Sequence, residues 1–289
     1  MSHTKTSLAH SAIAASFNQA VKSYNRANVI HREVGQRLLE NLQLMQIEPQ
    51  VILDLGAATG LYSKALAKYY PKTRVVAVDI AWDMLRHARR HRAWFKQQGF
   101  VCANSYQLPF QDNSVDLVFS NLMLHWCTDY EQVIQEVRRV LKPEGLFLFA
   151  SLGPDSLKEL RQALVASGSD ISLHDFTDMH DVGDALVRQQ FQGPVMEAEF
   201  ITFHYPSVDK IMADLTDTGA ALLLDDPEQQ LKSQLPAIGD AYPIETGANK
   251  LPLTYEVIIG HGWGPKTRAP ANQQQGNEVH IPLTKIPRR

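Results

Sequence analysis

Two carboxylates, each closing a short apolar run, are the residues of this sequence best placed to hold a ligand. Asp54 follows Val51-Ile52-Leu53 and precedes Leu55-Gly56-Ala57-Ala58-Thr59-Gly60; Asp79 follows Val76-Ala77-Val78 about twenty residues past Gly60. Glycine accepts positive φ and lets a ligand approach the backbone closely, so Gly56 and Gly60 mark a tight turn between a strand and a helix. A phosphate-binding turn needs GxGxxG at a helix N-terminus. Here Gly56, Ala58 and Gly60 alternate and no third glycine follows. Asp54 would also repel a phosphate and suits a cation instead, directly or through water. Asp79, at the end of a second strand, is placed to accept from both hydroxyls of a ribose.

The elements that must carry these residues alternate. Strands are expected at Val51–Leu55, Arg74–Val78, Phe100–Ala103, Val115–Ser120 and Leu146–Ser151. Helices are expected between them at Leu61–Tyr70, Trp82–Gln98 and Tyr130–Leu141. Unalternating apolar strands separated by helices indicate a parallel sheet covered on both faces. The fold class is α/β, doubly wound, with ligands at the carboxyl ends of the strands. Ahead of this, Ser11 to Leu44 reads as helix with a break near Asn25 to Asn28. Beyond it, helices are expected at Ser156–Val165 and Val182–Gln190, a strand at Val195–His204, a helix from near Val208 and a last strand at Leu253–Ile259. Asp155–Asp181 and Pro206–Asn249 are lid candidates. Leu141-Lys142-Pro143-Glu144-Gly145 reads as a helix stop and turn. The tail from Pro265 is polar and expected to be loosely packed.

The chain has 289 residues, a formal net charge of −3 and only two cysteines, Cys102 and Cys127. That balance argues against bulk-charge binding to nucleic acid, and the cysteines give neither a disulfide framework nor a zinc spacing. No metal site is expected, since the eleven histidines form no HExxH pair. Met1 to His10 lacks the apolar core of a signal peptide, and no run is long enough to span a bilayer. A cytoplasmic protein without membrane or nucleic-acid partners is expected; the oligomeric state is left open.

The combination DxGxxxG, helix, VxxVD resembles class I S-adenosylmethionine-dependent methyltransferases across roughly Val51 to Ser151. The resemblance implies S-adenosyl-L-methionine as cofactor and a mostly parallel seven-stranded sheet. It implies cofactor contacts from Asp54, Gly56, Ala58, Gly60, Asp79, Ile80, Asn104, Ser105, Asn121 and Leu122. Ala58 stands where the family has a central glycine. Asn104 stands where it has an aspartate that accepts from the adenine amino group; an amide carbonyl accepts the same bond. Asp116 also reads as a residue that fixes the start of the sheet.

A narrower resemblance rests on Phe17, Ala20 and Tyr24, then Ser120-Asn121-Leu122-Met123-Leu124-His125-Trp126, and Gly153 through Arg161. Thr202 to Ser207, Thr254 to Val257 and Val279 to Pro282 add to it. Together these are similar to the malonyl-acyl-carrier-protein O-methyltransferases of biotin synthesis, with His31 where that family commonly has Gln. The resemblance implies one domain over 1–264, with a helical lid at 11–44, a cofactor-binding half at 51–151, a substrate-side half at 152–264 and a polar tail at 265–289. It implies methylation of the free carboxyl of a malonyl group on acyl carrier protein, or on coenzyme A. Tyr24 then reads as a lid residue over the methyl group, or as a core aromatic. His125 and Trp126 read as acyl-pocket lining, or as packing. Lys158 and Arg161 either face the substrate or lie on a solvated helix face.

A malonyl carboxylate is already ionised near neutral pH, so methylating it needs no general base. Alignment and exclusion of water suffice. Two basic clusters offer docking faces for an acidic carrier: Arg86, Arg89, Arg90 and Arg92, and Arg138, Arg139 and Lys142. Alternatives remain at this stage: a small-molecule O-methyltransferase, a protein arginine hydroxylase or assembly factor of the same fold, and a nicotinamide oxidoreductase. The last is disfavoured by the missing GxGxxG.

Overall fold

The apolar runs become strands buried on both faces. The structure is a computed structural model and describes residues 9–92, 97–225, 228–243 and 250–266. Val51–Leu55 (β1), Arg74–Asp79 (β2), Gln98–Cys102 (β3), Val115–Asn121 (β4) and Leu141–Leu152 (β5) are parallel. A two-residue strand, Ser172–Leu173 (β6), pairs with Leu224–Asp225 (β8) outside this sheet. Gln192–Tyr205 (β7) and Leu251–Trp263 (β9) complete the main sheet as antiparallel strands. The order is β3-β2-β1-β4-β5-β9-β7, seven strands as expected. It reverses direction between β1 and β4, which places a crevice at their carboxyl ends.

Alternate side chains of each strand meet different helices. Ile52, Leu117, Phe119 and Leu148 pack with Val34, Leu38 and Leu42 of Val29–Leu44 and with Leu66 of Leu61–Tyr69. Leu53, Leu55, Val118, Phe147 and Phe149 pack with Val133 and Val137 of Tyr130–Val140 and with Val182 and Leu186 of Met179–Arg188. Asp116 accepts from the Gln50 and Val51 amides and from Lys142, so it does pin the start of β1.

Several boundaries move. The helix expected to reach Gln98 ends at Arg90, where the His91 amide bonds back to Ala88 and His87; Gln98 instead opens β3 opposite Val75. The turn expected at Leu141 to Gly145 is absorbed into β5 as an irregularity, with Glu144 at φ 59° and a register shift between Val115 and Leu117. The segment Asp155–Asp181 is not an open lid: Leu157, Leu160, Leu164, Ile171, Leu173 and Phe176 are buried in the core. The predicted tail lies outside the described residues from 267 on. Among the described residues no helix is long and apolar enough to cross a membrane, and no cluster of His, Cys, Asp and Glu is arranged to hold a metal.

Candidate active site

At the switch point, the loop after β1 is tied to β2. The Gly56 and Ala57 amides both bond to the Val78 carbonyl, at 2.9 and 3.1 Å, and the Gly60 amide bonds to the Ala57 carbonyl at 2.8 Å. Gly56 has φ 78°, and a Cβ there would lie 2.5 Å from Met123. Ala58 takes φ 44°, a conformation the family's glycine adopts freely and an alanine does not. Its amide donates to Asp79 Oδ2 at 2.7 Å, and the Ala81 amide donates to Oδ1 at 2.8 Å. A carboxylate has about four acceptor positions, so Asp79 retains capacity for a ribose. The Ala58 methyl packs among Ala20, Tyr24, Ala81 and Met84, which fixes the strained loop against the N-terminal helices.

The cleft over this loop is lined by eight of the ten expected cofactor residues: Gly56, Ala58, Asp79, Ile80, Asn104, Ser105, Asn121 and Leu122. Two are not there. Gly60 sits at φ 76° behind the loop, and a Cβ would lie 2.7 Å from Ala88 Cβ; its small size serves packing against Trp82–Arg90. Asp54 is buried on the sheet face that meets Leu61–Tyr69 and accepts from Ser63 Oγ. Burial pushes its carboxyl up to about 7 despite that bond. Asp54 therefore reaches the cleft only through its charge.

The adenine-side loop is held from beneath. Arg139 donates to the carbonyls of Leu108 and Phe110 and pairs with Glu136 and Asp112, while the Leu108 amide donates to Glu136. Arg138 is buried and Lys142 pairs with Asp116. The second basic cluster is thus structural rather than an open docking face. Asn104 Oδ1 accepts from the Tyr106 amide, leaving one lone pair, and its Nδ2 lies 2.9 Å from His10 Nδ1. The His10 ring sits 4.8 Å from that of Tyr106.

The roof comes from the N-terminal helices. His10, Ile13, Phe17 and Tyr24 face the cleft from His10–Ala20 and Tyr24–Ala27, at the 3–4–7 spacing of one helical face. Only Tyr24 and Phe17 had been singled out; that spacing was the signal for the other two. Tyr24 is buried in a packed cluster and also lines the cleft. Burial, then the charges of Asp79 and Asp54, hold its phenol far above the usual range, so it stays a neutral donor.

A second cavity adjoins the first. Its lining includes His125, Phe203, Tyr205, Leu215 and Tyr255, and it shares His31, Leu122 and Trp126 with the cleft. Asp214, Leu215, Thr218 and Ala220 come from the expected Pro206–Asn249 segment. His125 therefore belongs to the second cavity and Trp126 to both. Lys158 lies over the Phe200 ring at 5.3 Å, and Arg161 bonds to the His174 carbonyl; neither is among the described residues that line these two cavities.

Comparison with known proteins identifies this arrangement. A family profile described as a methyltransferase domain matches residues 53–149. The malonyl-[acyl-carrier protein] O-methyltransferase of Methylovorus sp. is 40% identical over 264 residues, covering 89% of each chain. That of Coxiella burnetii is 35% identical over 294 residues, covering both chains completely. The chain belongs to the malonyl-[acyl-carrier protein] O-methyltransferase family. Among solved structures, the YcgJ protein of Bacillus subtilis is similar in fold, with a TM-score of 0.57 at 16% identity, covering 82% of this chain and all of that one. Haemonchus contortus phosphoethanolamine N-methyltransferase 2, solved with S-adenosyl-L-methionine, gives a TM-score of 0.51 at 17% identity, covering 80% of this chain and 52% of that one. The relatives favour carboxyl methylation over the hydroxylase, assembly-factor and small-molecule alternatives.

Proposed function

We propose that this protein transfers a methyl group from S-adenosyl-L-methionine to the free carboxyl of a malonyl group on acyl carrier protein. The observation that carries the reading is the pair of adjacent cavities that share one wall. One is a cleft at the strand ends that holds Asp79, Asn104 and Asn121, and the other is a smaller cavity that shares His31, Leu122 and Trp126 with it. The residues fit the cofactor. Asp79 has free acceptor positions for a ribose, Asn104 keeps one for an adenine amino group, and Asn121 Oδ1 is buried without a partner.

When bound, S-adenosylmethionine supplies an electrophilic methyl on a sulfonium. An acceptor carboxylate oxygen would contribute the electron pair of the new O–C bond, with the broken C–S pair left on sulfur. No proton moves. Among the cavity-lining residues none is needed as a base: burial keeps Tyr24 a protonated phenol and makes the neutral His125 imidazole a weak proton acceptor. Their work is positioning and exclusion of water. Phe17, Tyr24 and Trp126 close the cleft with aromatic faces: Phe17 meets Trp126 edge-on at 5.2 Å and Tyr24 at 6.4 Å. Arg89, Arg90 and Arg92 are exposed, which favours that cluster for an acidic carrier.

The test is cofactor turnover with malonyl and acetyl forms of the carrier protein. Release of S-adenosylhomocysteine with the malonyl form alone supports the reading. Equal turnover with both forms, or turnover only with carrier-free small molecules, overturns it.

A further inference from the structure

The wall between the two cavities holds a concentration of polar atoms with nothing to bond. Seven buried side-chain nitrogen or oxygen atoms lack a hydrogen-bond partner among the described residues. Four of them lie on this wall or beside it: His31 Nδ1, Asn121 Oδ1, His125 Nδ1 and Trp126 Nε1. A buried polar atom without a partner is costly, so natural structures keep few without a purpose. Rings hold the group in place. Tyr24 lies 5.4 Å from His31, and His125 lies 5.3 Å from Trp126 and 5.8 Å edge-on from Phe176.

These groups are uncharged. Burial pushes His31 down to about 4; burial, with His31 and His174 nearby, pushes His125 well below the ordinary range. Each neutral imidazole carries one N–H, and the Trp126 indole can only donate. Among the described residues no lysine or arginine lines either cavity; Asp79 in the first and Asp214 in the second are the only Asp or Glu side chains there. An anion at the junction therefore meets no cationic side chain among the described lining residues, and the donors nearest to it are neutral.

We propose that His31, His125 and Trp126 form a hydrogen-bond donor seat for the acceptor carboxylate, at the wall that the second cavity shares with the cofactor cleft. The assignment rests on the carboxyl-methylation reading above. Neutral donors suit that chemistry. Methyl transfer removes the negative charge from the acceptor, so a cation clamped to the carboxylate would stabilise the reactant more than the transition state and slow the step. Neutral donors orient the carboxylate at less cost to its nucleophilicity, and they hold the uncharged ester weakly, which helps it leave. Leu122 completes the wall as an apolar, buried residue at φ 54°, held by its amide bonding to the Ala150 carbonyl at 3.0 Å.

The test uses the full chain, with Trp126→Phe and His125→Phe to remove donors while keeping a ring, and His31→Gln to keep a donor that His31→Phe removes. Malonyl and acetyl thioesters of pantetheine are titrated against each, and KM is measured with the malonyl carrier. A donor to an anion contributes roughly tenfold to hundredfold in affinity. The seat predicts that Trp126→Phe and His125→Phe raise KM for the malonyl acceptor by that factor and erase the malonyl-over-acetyl binding preference. In His125→Phe, at a position that does not line the cofactor cleft, cofactor affinity stays within a few-fold, and His31→Gln, which retains a donor, raises KM less than His31→Phe. Equal weakening of both thioesters would assign the residues to packing and overturn the seat, as would unchanged malonyl affinity in both Trp126→Phe and His125→Phe. If the wild-type protein makes no methyl ester, the functional reading falls, while the malonyl–acetyl binding preference still decides the seat.

Discussion

Replacing Asp79 with alanine separates two jobs that this carboxylate does at once. In the structure its two oxygens hold the Ala58 and Ala81 amides at 2.7 and 2.8 Å, and Ala58 sits at φ 44° only because the loop is pinned there. Each charge-assisted bond contributes about 1.5–3 kcal/mol, but the carboxyl is itself pushed up by burial, so its removal also relieves a desolvation cost. The expected net loss of stability is about 2–3 kcal/mol, read as a lower midpoint in urea with unchanged slope. Loss of the ribose acceptor adds a binding penalty of about 1–3 kcal/mol, or roughly fivefold to 150-fold in cofactor affinity by calorimetry. Asp79→Asn keeps one acceptor and should fall between. A folded Asp79→Ala variant that binds cofactor with wild-type affinity would refute the ribose assignment. One that is unfolded, while Asp79→Asn folds and binds normally, would reduce the residue to a loop anchor.

Other expectations follow from the same geometry. Gly60→Ala should cost at least about 2 kcal/mol, because a methyl at φ 76° meets Ala88 Cβ at 2.7 Å, and Ala88→Gly in the same chain should restore part of it. Thermal melts check this, and full cofactor binding by the rescued double variant would confirm that Gly60 is not a ligand residue. Cofactor affinity should depend on pH through Asp54. Its carboxyl lies near 7 when the cleft is free, and a cationic cofactor favours the ionised form, so affinity is full above pH 7 and weakens as pH falls through it. Titrations at pH 8 and 6 should differ by several-fold, and Asp54→Asn should flatten the difference; a flat wild-type profile would contradict the electrostatic role. Arg139→Ala should destabilise the chain by about 2 kcal/mol by freeing the Leu108 and Phe110 carbonyls and stranding Glu136. Adenine-side binding should weaken with it, as measured by comparing S-adenosylhomocysteine with methionine as competitors.

The parallel half of the sheet was legible because its strands are buried on both faces, which leaves unbroken apolar runs such as Val51-Ile52-Leu53 in the sequence. Where tertiary pairing decided, sequence pattern failed. Gln98 joins β3 because Val75 offers it a ladder partner, and β5 begins at Leu141 because Val115 pairs there. The DxGxxxG spacing located the loop but did not separate Gly56, whose missing side chain leaves room in the cleft, from Gly60, whose missing side chain admits Ala88. Similarly, Asp54 reads as a ligand residue from its place at a strand end, yet strand alternation turns it toward Ser63. Charge runs were the weakest guide, since Arg139 and Lys142 looked like a docking face and proved to be internal struts. His10 and Ile13 reach the site because the N-terminal helix packs across the strand ends, so their helical spacing marks a face without saying what that face covers.

The central claim is most directly tested by mass spectrometry of malonyl-acyl carrier protein incubated with the purified protein and S-adenosylmethionine. One added methyl, located on the malonyl carboxyl by fragmentation and matched by an equal amount of S-adenosylhomocysteine, is the predicted result. An unmodified malonyl group, from protein that binds the cofactor normally, would contradict the account.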